Sequence, residues 1–182
     1  MKNISVVLDN LLRPVALVLG LCLVVACSDG SNNNSNGFQP PTEPEDPNII
    51  NIEPGENFET ELKTALIEAQ PGNIIVLPEG EFPMTAGLIL DVNNVIVRGQ
   101  GEATTVLNFA QSEGGDSFLV TSNNVALENF ALVDPPGDGI KFKGSNGVTI
   151  RGMRVEWTCG ACVENGAYGI YPVQSKNVLI ED

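Results

Sequence analysis

The chain has no histidine, 1 tryptophan and 2 tyrosines among its 182 residues, and 9 lysines and arginines against 23 aspartates and glutamates. Each shortage excludes something. Without histidine the usual general base near neutral pH and the commonest zinc ligand are both missing. With so few cations and a net charge of −14, the chain is repelled by nucleic acid and by anionic lipid surfaces. Part of that charge is mere solvation, because Glu43, Glu45 and Asp46 sit in a polar stretch. Long apolar runs are missing as well. The longest, Val15 to Ala26, rises 1.5 Å per residue and is too short for a hydrocarbon core of roughly 30 Å.

That run fits the apolar region of a signal peptide, with Lys2 and Arg13 ahead of it. It ends in Val24-Val25-Ala26-Cys27-Ser28, which resembles a lipobox. The resemblance implies a lipid on the Cys27 thiol and cleavage before it. Cys22 fits less well, because Leu21 precedes it. Loss of residues 1–26 removes two positive charges and one negative, so the mature net charge becomes −15. Acyl chains contribute ~0.8 kcal/mol per buried methylene and two or three hold a protein on a membrane. The expected location is the cell envelope, with the membrane as a partner through the anchor. Ser28 at the next position points, by analogy with enteric bacteria, to the outer membrane, facing the periplasm or the cell surface. Residues 27–48 continue as an Asn/Ser/Gly-rich and then Pro/Glu-rich stretch with almost nothing to bury, the composition of a disordered tether.

From residue 49 to 182 the pattern changes. Phe58, Leu62, Ala65, Leu66 and Ala69 fall at helical spacing, and Pro71-Gly72 stops the helix. Ile74-Ile75-Val76-Leu77 reads as a short buried strand and Pro78-Glu79-Gly80-Glu81 as a turn. A repeat follows. Val92-Asn93-Asn94-Val95-Ile96-Val97-Arg98-Gly99 aligns with Ser122-Asn123-Asn124-Val125-Ala126-Leu127-Glu128-Asn129, with Ser145-Asn146-Gly147-Val148-Thr149-Ile150-Arg151-Gly152 and with Ser175-Lys176-Asn177-Val178-Leu179-Ile180-Glu181-Asp182. Ala86, Asp116, Gly139 and Gly169 precede the four key valines at one fixed interval. Short apolar strands led by Leu88, Phe118, Ile140 and Ile170 follow them. Each unit therefore reads as strand, tight polar turn, strand and variable return.

Such a period with short strands and Asn-rich turns indicates a solenoid. Val95, Val125, Val148 and Val178 are expected to stack as one inward ladder, and Val97, Leu127, Ile150 and Ile180 as another. Asn94, Asn124 and Asn177 are expected to form an Asn ladder interrupted by Gly147. Arg98, Glu128, Arg151 and Glu181 form a ladder of alternating charge, a structural device rather than a polyanion clamp. A leucine-rich repeat, the rival of similar period, would need leucine where valine and isoleucine stand.

Residues 57–182 resemble right-handed parallel β-helix proteins of the pectate-lyase-like group, with an N-terminal capping helix followed by Gln70-Pro71-Gly72-Asn73-Ile74-Ile75-Val76-Leu77-Pro78-Glu79-Gly80. More narrowly, Glu156-Trp157-Thr158 and Glu164 to Val173 resemble an uncharacterised bacterial family of β-helix repeat proteins. No capping segment follows Asp182, so further coils are expected beyond a truncated C-terminal end.

Tyr168-Gly169-Ile170-Tyr171-Pro172-Val173 resembles the Tyr-Gly-Phe-Asp-Pro-His signature of alginate C5-epimerases. The resemblance places Tyr168 on the catalytic tyrosine, Tyr171 where the family has aspartate and Val173 where it has histidine. Valine supplies no base. Lys141 and Lys143, aligned with Tyr171 and Val173, are candidates to neutralise a uronate carboxylate. Lys141, Lys143, Tyr168 and Tyr171 are thus the candidate carbohydrate contacts, and no catalytic residue is assigned. Cys159-Gly160-Ala161-Cys162 is read as a local disulfide in an exported protein, with free thiols, redox use or metal use as alternatives. No metal site is assigned. Asp116, Asp134 and Asp138 invite a calcium reading from the use of Ca²⁺ by acidic β-helix lyases, although Asp134-Pro135-Pro136-Gly137-Asp138-Gly139 is equally an ordinary turn.

Three functions remain open. The first is a lipoprotein engaging polysaccharide along the solenoid flank, over Ile89, Leu119, Lys141 and Tyr171. The second is a uronate lyase or C5-epimerase whose base lies in further coils. The third is a non-catalytic structural or assembly module.

Overall fold

The computed structural model describes residues 48–182. The signal peptide, Cys27 and nearly all of the expected tether lie outside the described residues. In chain order the elements are β1 (Ile49–Asn51), α1 (Phe58–Glu68), β2 (Ile74–Val76), β3 (Gly80–Pro83), β4 (Leu88–Leu90), β5 (Ile96–Arg98), β6 (Thr105–Asn108) and β7 (Phe118–Val120). They continue with β8 (Val125–Glu128), β9 (Ala131–Val133), β10 (Ile140–Lys143), β11 (Asn146–Arg151), β12 (Arg154–Glu156), β13 (Ile170–Val173) and β14 (Lys176–Glu181).

Every strand pairing is parallel. The strands make three sheets, each gaining one strand per coil: β1-β2-β5-β8-β11-β14, β4-β7-β10-β13 and β3-β6-β9-β12. This is a right-handed parallel β-helix with one helix at its start. Among the described residues no helix is long and apolar enough to cross a membrane.

The helix forms because Phe58, Leu62, Ala65 and Leu66 share one buried face. Glu59 and Glu61 in the first turn suit the positive end of its dipole. It lies over β3 and β4, with the Phe58 ring stacked on Phe82 at 3.7 Å between centroids. β1 instead extends the first sheet, pairing Ile50 with Ile75. A strand ahead of the helix was not signalled by periodicity, because it is only three residues long.

Both expected inward ladders form. Ile75, Val97, Leu127, Ile150 and Ile180 are in register across the first sheet. Val125, Val148 and Val178 form the second column. All but Ile180 and Val178 are buried, and each fully buried aliphatic side chain contributes roughly 1.5–3 kcal/mol. Asn94, Asn124 and Asn177 hold φ of 60°, 53° and 51°, and Gly147 has 74°. That left-handed corner is why Asn and Gly recur there. Asn124 Nδ2 donates to Asn94 Oδ1 at 3.2 Å. Above Gly147 the ladder steps sideways, and Asn177 Nδ2 donates to Asn146 Oδ1 at 2.8 Å.

Three expectations need correction. Pro78 to Glu81 is not a four-residue turn, since β3 begins at Gly80. The variable return is not loop throughout. It carries the third sheet, whose inward residues Phe82, Leu107 and Leu132 are in register and buried. Finally, Gly139 and Gly169 are not level with Asp116. The register of Ile140 with Phe118 and with Ile170 puts Asp138 and Tyr168 level with Asp116. The reason is one extra residue after β10 and β13, Gly144 at φ 72° and Gln174 at φ 52°.

Candidate functional site

One outward column of the second sheet takes a single residue from each coil. Ile89, Leu119, Lys141 and Tyr171 stand in register, at the ~4.8 Å step of paired strands. The neighbouring column carries Asp116, Asp138 and Tyr168. At the helix end the strip begins beside a shallow pocket of about 300 Å³ lined by Lys63, Leu66, Ile67, Gly87, Ile89 and Asp91. Ile67 and Ile89 are both exposed there. At the other end the strip turns aromatic and charged.

There the Tyr168 and Tyr171 rings stack, with centroids 4.4 Å apart and planes 21° from parallel. Tyr168 is 51% exposed and Tyr171 is half-buried. The Lys141 ammonium lies 5.5 Å from the Tyr171 centroid, within range of a cation–π contact. The same ammonium donates to Asp138 Oδ2 at 3.1 Å and to Asp116 Oδ1 at 3.2 Å. The hydrogen bonds to Asp138 and then Asp116 push the Lys141 pKa above its ordinary value. Both carboxylates thus favour the charged form of the lysine.

Of the four candidate contacts, Lys141, Tyr168 and Tyr171 are therefore brought together. Lys143 points out from the same strand, in register with Val173, and is exposed. Val173, where the epimerase signature has histidine, stands beside Lys143 and brings no proton acceptor to the pair. Lys141 is not the free cation that the sequence suggested for a uronate carboxylate, because two aspartates already share it.

The calcium candidates part company. Asp116 and Asp138 hold Lys141, whose charge stands where a cation would have to bind. Asp134 faces another loop, where Oδ1 accepts from the Thr158 amide at 2.6 Å and Oδ2 from the Thr158 hydroxyl at 2.8 Å. Among the described residues no three His, Cys, Asp or Glu side chains converge as a metal set.

Cys159 and Cys162 are joined in the loop between β12 and β13, with Cα atoms 6.0 Å apart. The loop is pinned further by Trp157 Nε1, which donates to the Pro135 carbonyl at 2.7 Å. Close backbone packing is its other anchor. A Cβ on Gly166 would overlap the Gly137 carbonyl, and one on Gly137 would overlap the Gly115 carbonyl. Three loops thus stack through glycine, and they deliver Asp116, Asp138 and Tyr168 to one place. Nothing in the repeat pattern signalled this glycine column, because it lies in the segments of unequal length. Across the solenoid the charge ladder is complete: Glu128 binds Arg98 at 2.8 Å and Arg151 at 3.1 Å, and Arg151 binds Glu181 at 2.6 Å. Those arginines are occupied and offer no clamp.

No protein-family model matches this chain, and no curated protein matches it. Among solved structures it is similar to an alginate lyase from Paenibacillus sp. str. FPU-7, at 24% identity and a TM-score of 0.45 over 53% of this chain and 34% of that one. It is also similar to the PL6 family alginate lyase AlyGC, at 17% identity and a TM-score of 0.47 over 80% of this chain and 22% of that one. The chain thus spans only a minor part of either lyase, and similarity at this level concerns the β-helix fold.

Proposed function

We propose that this protein is a lipid-anchored β-helix that holds polysaccharide against its second sheet, with Tyr168 and Tyr171 as the principal contact. The observation that carries this reading is the stacked pair itself. The chain has 2 tyrosines, and both are spent on one solvent-facing stack. A tyrosine that serves the core buries its ring. These offer an apolar face with a polar tip, suited to the C–H face of a sugar ring and its hydroxyls. The apolar strip of Ile89 and Leu119 extends the surface along the solenoid axis. An anchor at Cys27, followed by a polar stretch of about twenty residues, would keep that surface within a few nanometres of an envelope membrane. A lyase or epimerase acting with these residues is disfavoured, because Asp116 and Asp138 already occupy Lys141 and Val173 stands where the epimerase signature has its base.

Affinity electrophoresis of the detergent-solubilised full-length protein through gels containing envelope and plant polysaccharides tests the reading. Retardation by at least one polymer is expected, weakened about tenfold in Tyr171→Ala and Tyr168→Ala. Unretarded migration in every gel, or retention that ignores both substitutions, sinks it. Accumulation of unsaturated uronate absorbance in the same mixtures would instead favour the lyase. For the anchor, the intact mass of native protein should begin at Cys27 with added acyl groups, and Cys27→Ser should leave the detergent phase.

A further inference from the structure

The charges around the tyrosine pair select among polysaccharides. Three ionised side chains face it from neighbouring coils, namely Asp116, Asp138 and Lys141, and they sum to one net negative charge. The lysine is 26% exposed, and so is Asp116, while Asp138 is 12% exposed. The lysine is thus hemmed in by the two carboxylates. Elsewhere among the described residues, Lys63 pairs with Glu59, Arg98 and Arg151 with glutamates of the charge ladder, and Arg154 with Glu156. Lys143 shares the strand but stands in the next outward column, level with Val173.

We infer that the Tyr168–Tyr171 site takes an uncharged, hydroxyl-rich stretch of polysaccharide and discriminates against uronates. The inference rests on the sugar-binding reading above. A carboxylate on a ring stacked over Tyr171 would approach Asp116 and Asp138, whose lone cation is already shared between them. Like charges brought together at a partly desolvated surface repel. A hydroxyl meets complementary groups instead. Each aspartate has lone pairs beyond those facing Lys141, and the ammonium has three N–H donors, two of them used. Asp116 and Asp138 are thereby specificity-determining residues: they orient the lysine and cancel its charge.

The test is a matched pair of polymers, fully methyl-esterified polygalacturonate and its de-esterified form, titrated into the full-length protein in neutral detergent micelles at constant ionic strength. The ester is expected to bind at least tenfold more tightly. In the Asp116→Asn/Asp138→Asn double variant the gap should shrink several-fold, because Lys141 becomes a free cation. The mature net charge of −15 becomes −13 in that variant, a small change, so a shrinking gap reports the site. Lys141→Met, which keeps the aspartates, should widen the gap and guards against a misfolded double variant. Equal or tighter binding of the de-esterified polymer, lost in Tyr171→Ala, overturns this inference and leaves the sugar-binding reading intact. A gap unmoved by either charge variant also overturns it. Failure of both polymers and of neutral glucan and mannan removes the sugar site itself, and this inference with it.

Discussion

Gly166 meets Gly137 backbone to backbone, one coil apart, with no room for a side chain between them. Tyr168 stands two residues beyond the first and Asp138 one beyond the second, so this contact sets the level of both. Gly166→Ala should force the loops apart, costing roughly 1–3 kcal/mol as over-packing does. It should also weaken glycan retention, because the tyrosine stack loses its support. Thermal unfolding alongside affinity electrophoresis checks both halves. Unchanged melting and retention would show that the loops accommodate the methyl.

Glu128 is 7% exposed and holds two arginines. Glu128→Ala should leave Arg98 and Arg151 without their shared anion and cost roughly 1–3 kcal/mol, given that both arginines are about half exposed. Arg98→Ala, at one side of the ladder, should cost less. Urea midpoints compared at low and high salt measure both, and equal losses for the two variants would contradict the ladder's order.

Glu59 ties the helix to the chain ahead of β4. Burial pushes its carboxyl up, but hydrogen bonds from Lys63, the Thr85 hydroxyl and the Thr85 and Ala86 amides outweigh burial and hold its pKa below the ordinary glutamate value. A depressed folded pKa contributes stability above the unfolded value, and that contribution is lost as pH falls through the folded one. Glu59→Gln should therefore melt earlier than wild type at pH 7 and converge with it below the usual glutamate range. A melting difference that grows on acidification would reverse the sign and refute the assignment.

The Ser117 hydroxyl is buried with no hydrogen-bond partner. An unsatisfied buried polar atom carries a desolvation cost of about 1–3 kcal/mol. Ser117→Ala is expected to raise the melting temperature or leave it unchanged, and a clear drop in differential scanning calorimetry would mean that the hydroxyl has a partner.

The Cys159–Cys162 disulfide closes a very short loop, so the chain-entropy stabilisation lost on reduction is about 2 kcal/mol at most. Cys159→Ser should lower the melting temperature modestly and reduce affinity at the tyrosine pair, since both cysteines precede Tyr168 in one loop. Identical melting with and without reductant would leave the bridge no structural role.

The solenoid was legible because Val95, Val125, Val148 and Val178 keep company with Asn or Gly at one left-handed corner. Backbone geometry and burial point to the same residues there. The third sheet was not legible. Leu107 and Leu132 are in register, yet they follow the first-sheet ladder at different distances because the intervening segments differ in length. The candidate site was half legible. The pairing of Lys141 with Tyr171 followed from the repeat. The capture of Lys141 by Asp116 and Asp138 did not, because the extra residues Gly144 and Gln174 slide one column past the other, and only a strand register exposes that.

The column of Ile89, Leu119, Lys141 and Tyr171 takes one outward side chain from each turn of the coil, while the core side chains of the same strands face the other way. The proposed contact surface and the core are therefore written on separate strips of the same strands. An engineer who wished to retarget this surface could exchange Ile89, Leu119 or Tyr171 one at a time, as letters in a line of type, and leave the interior that holds the line together undisturbed.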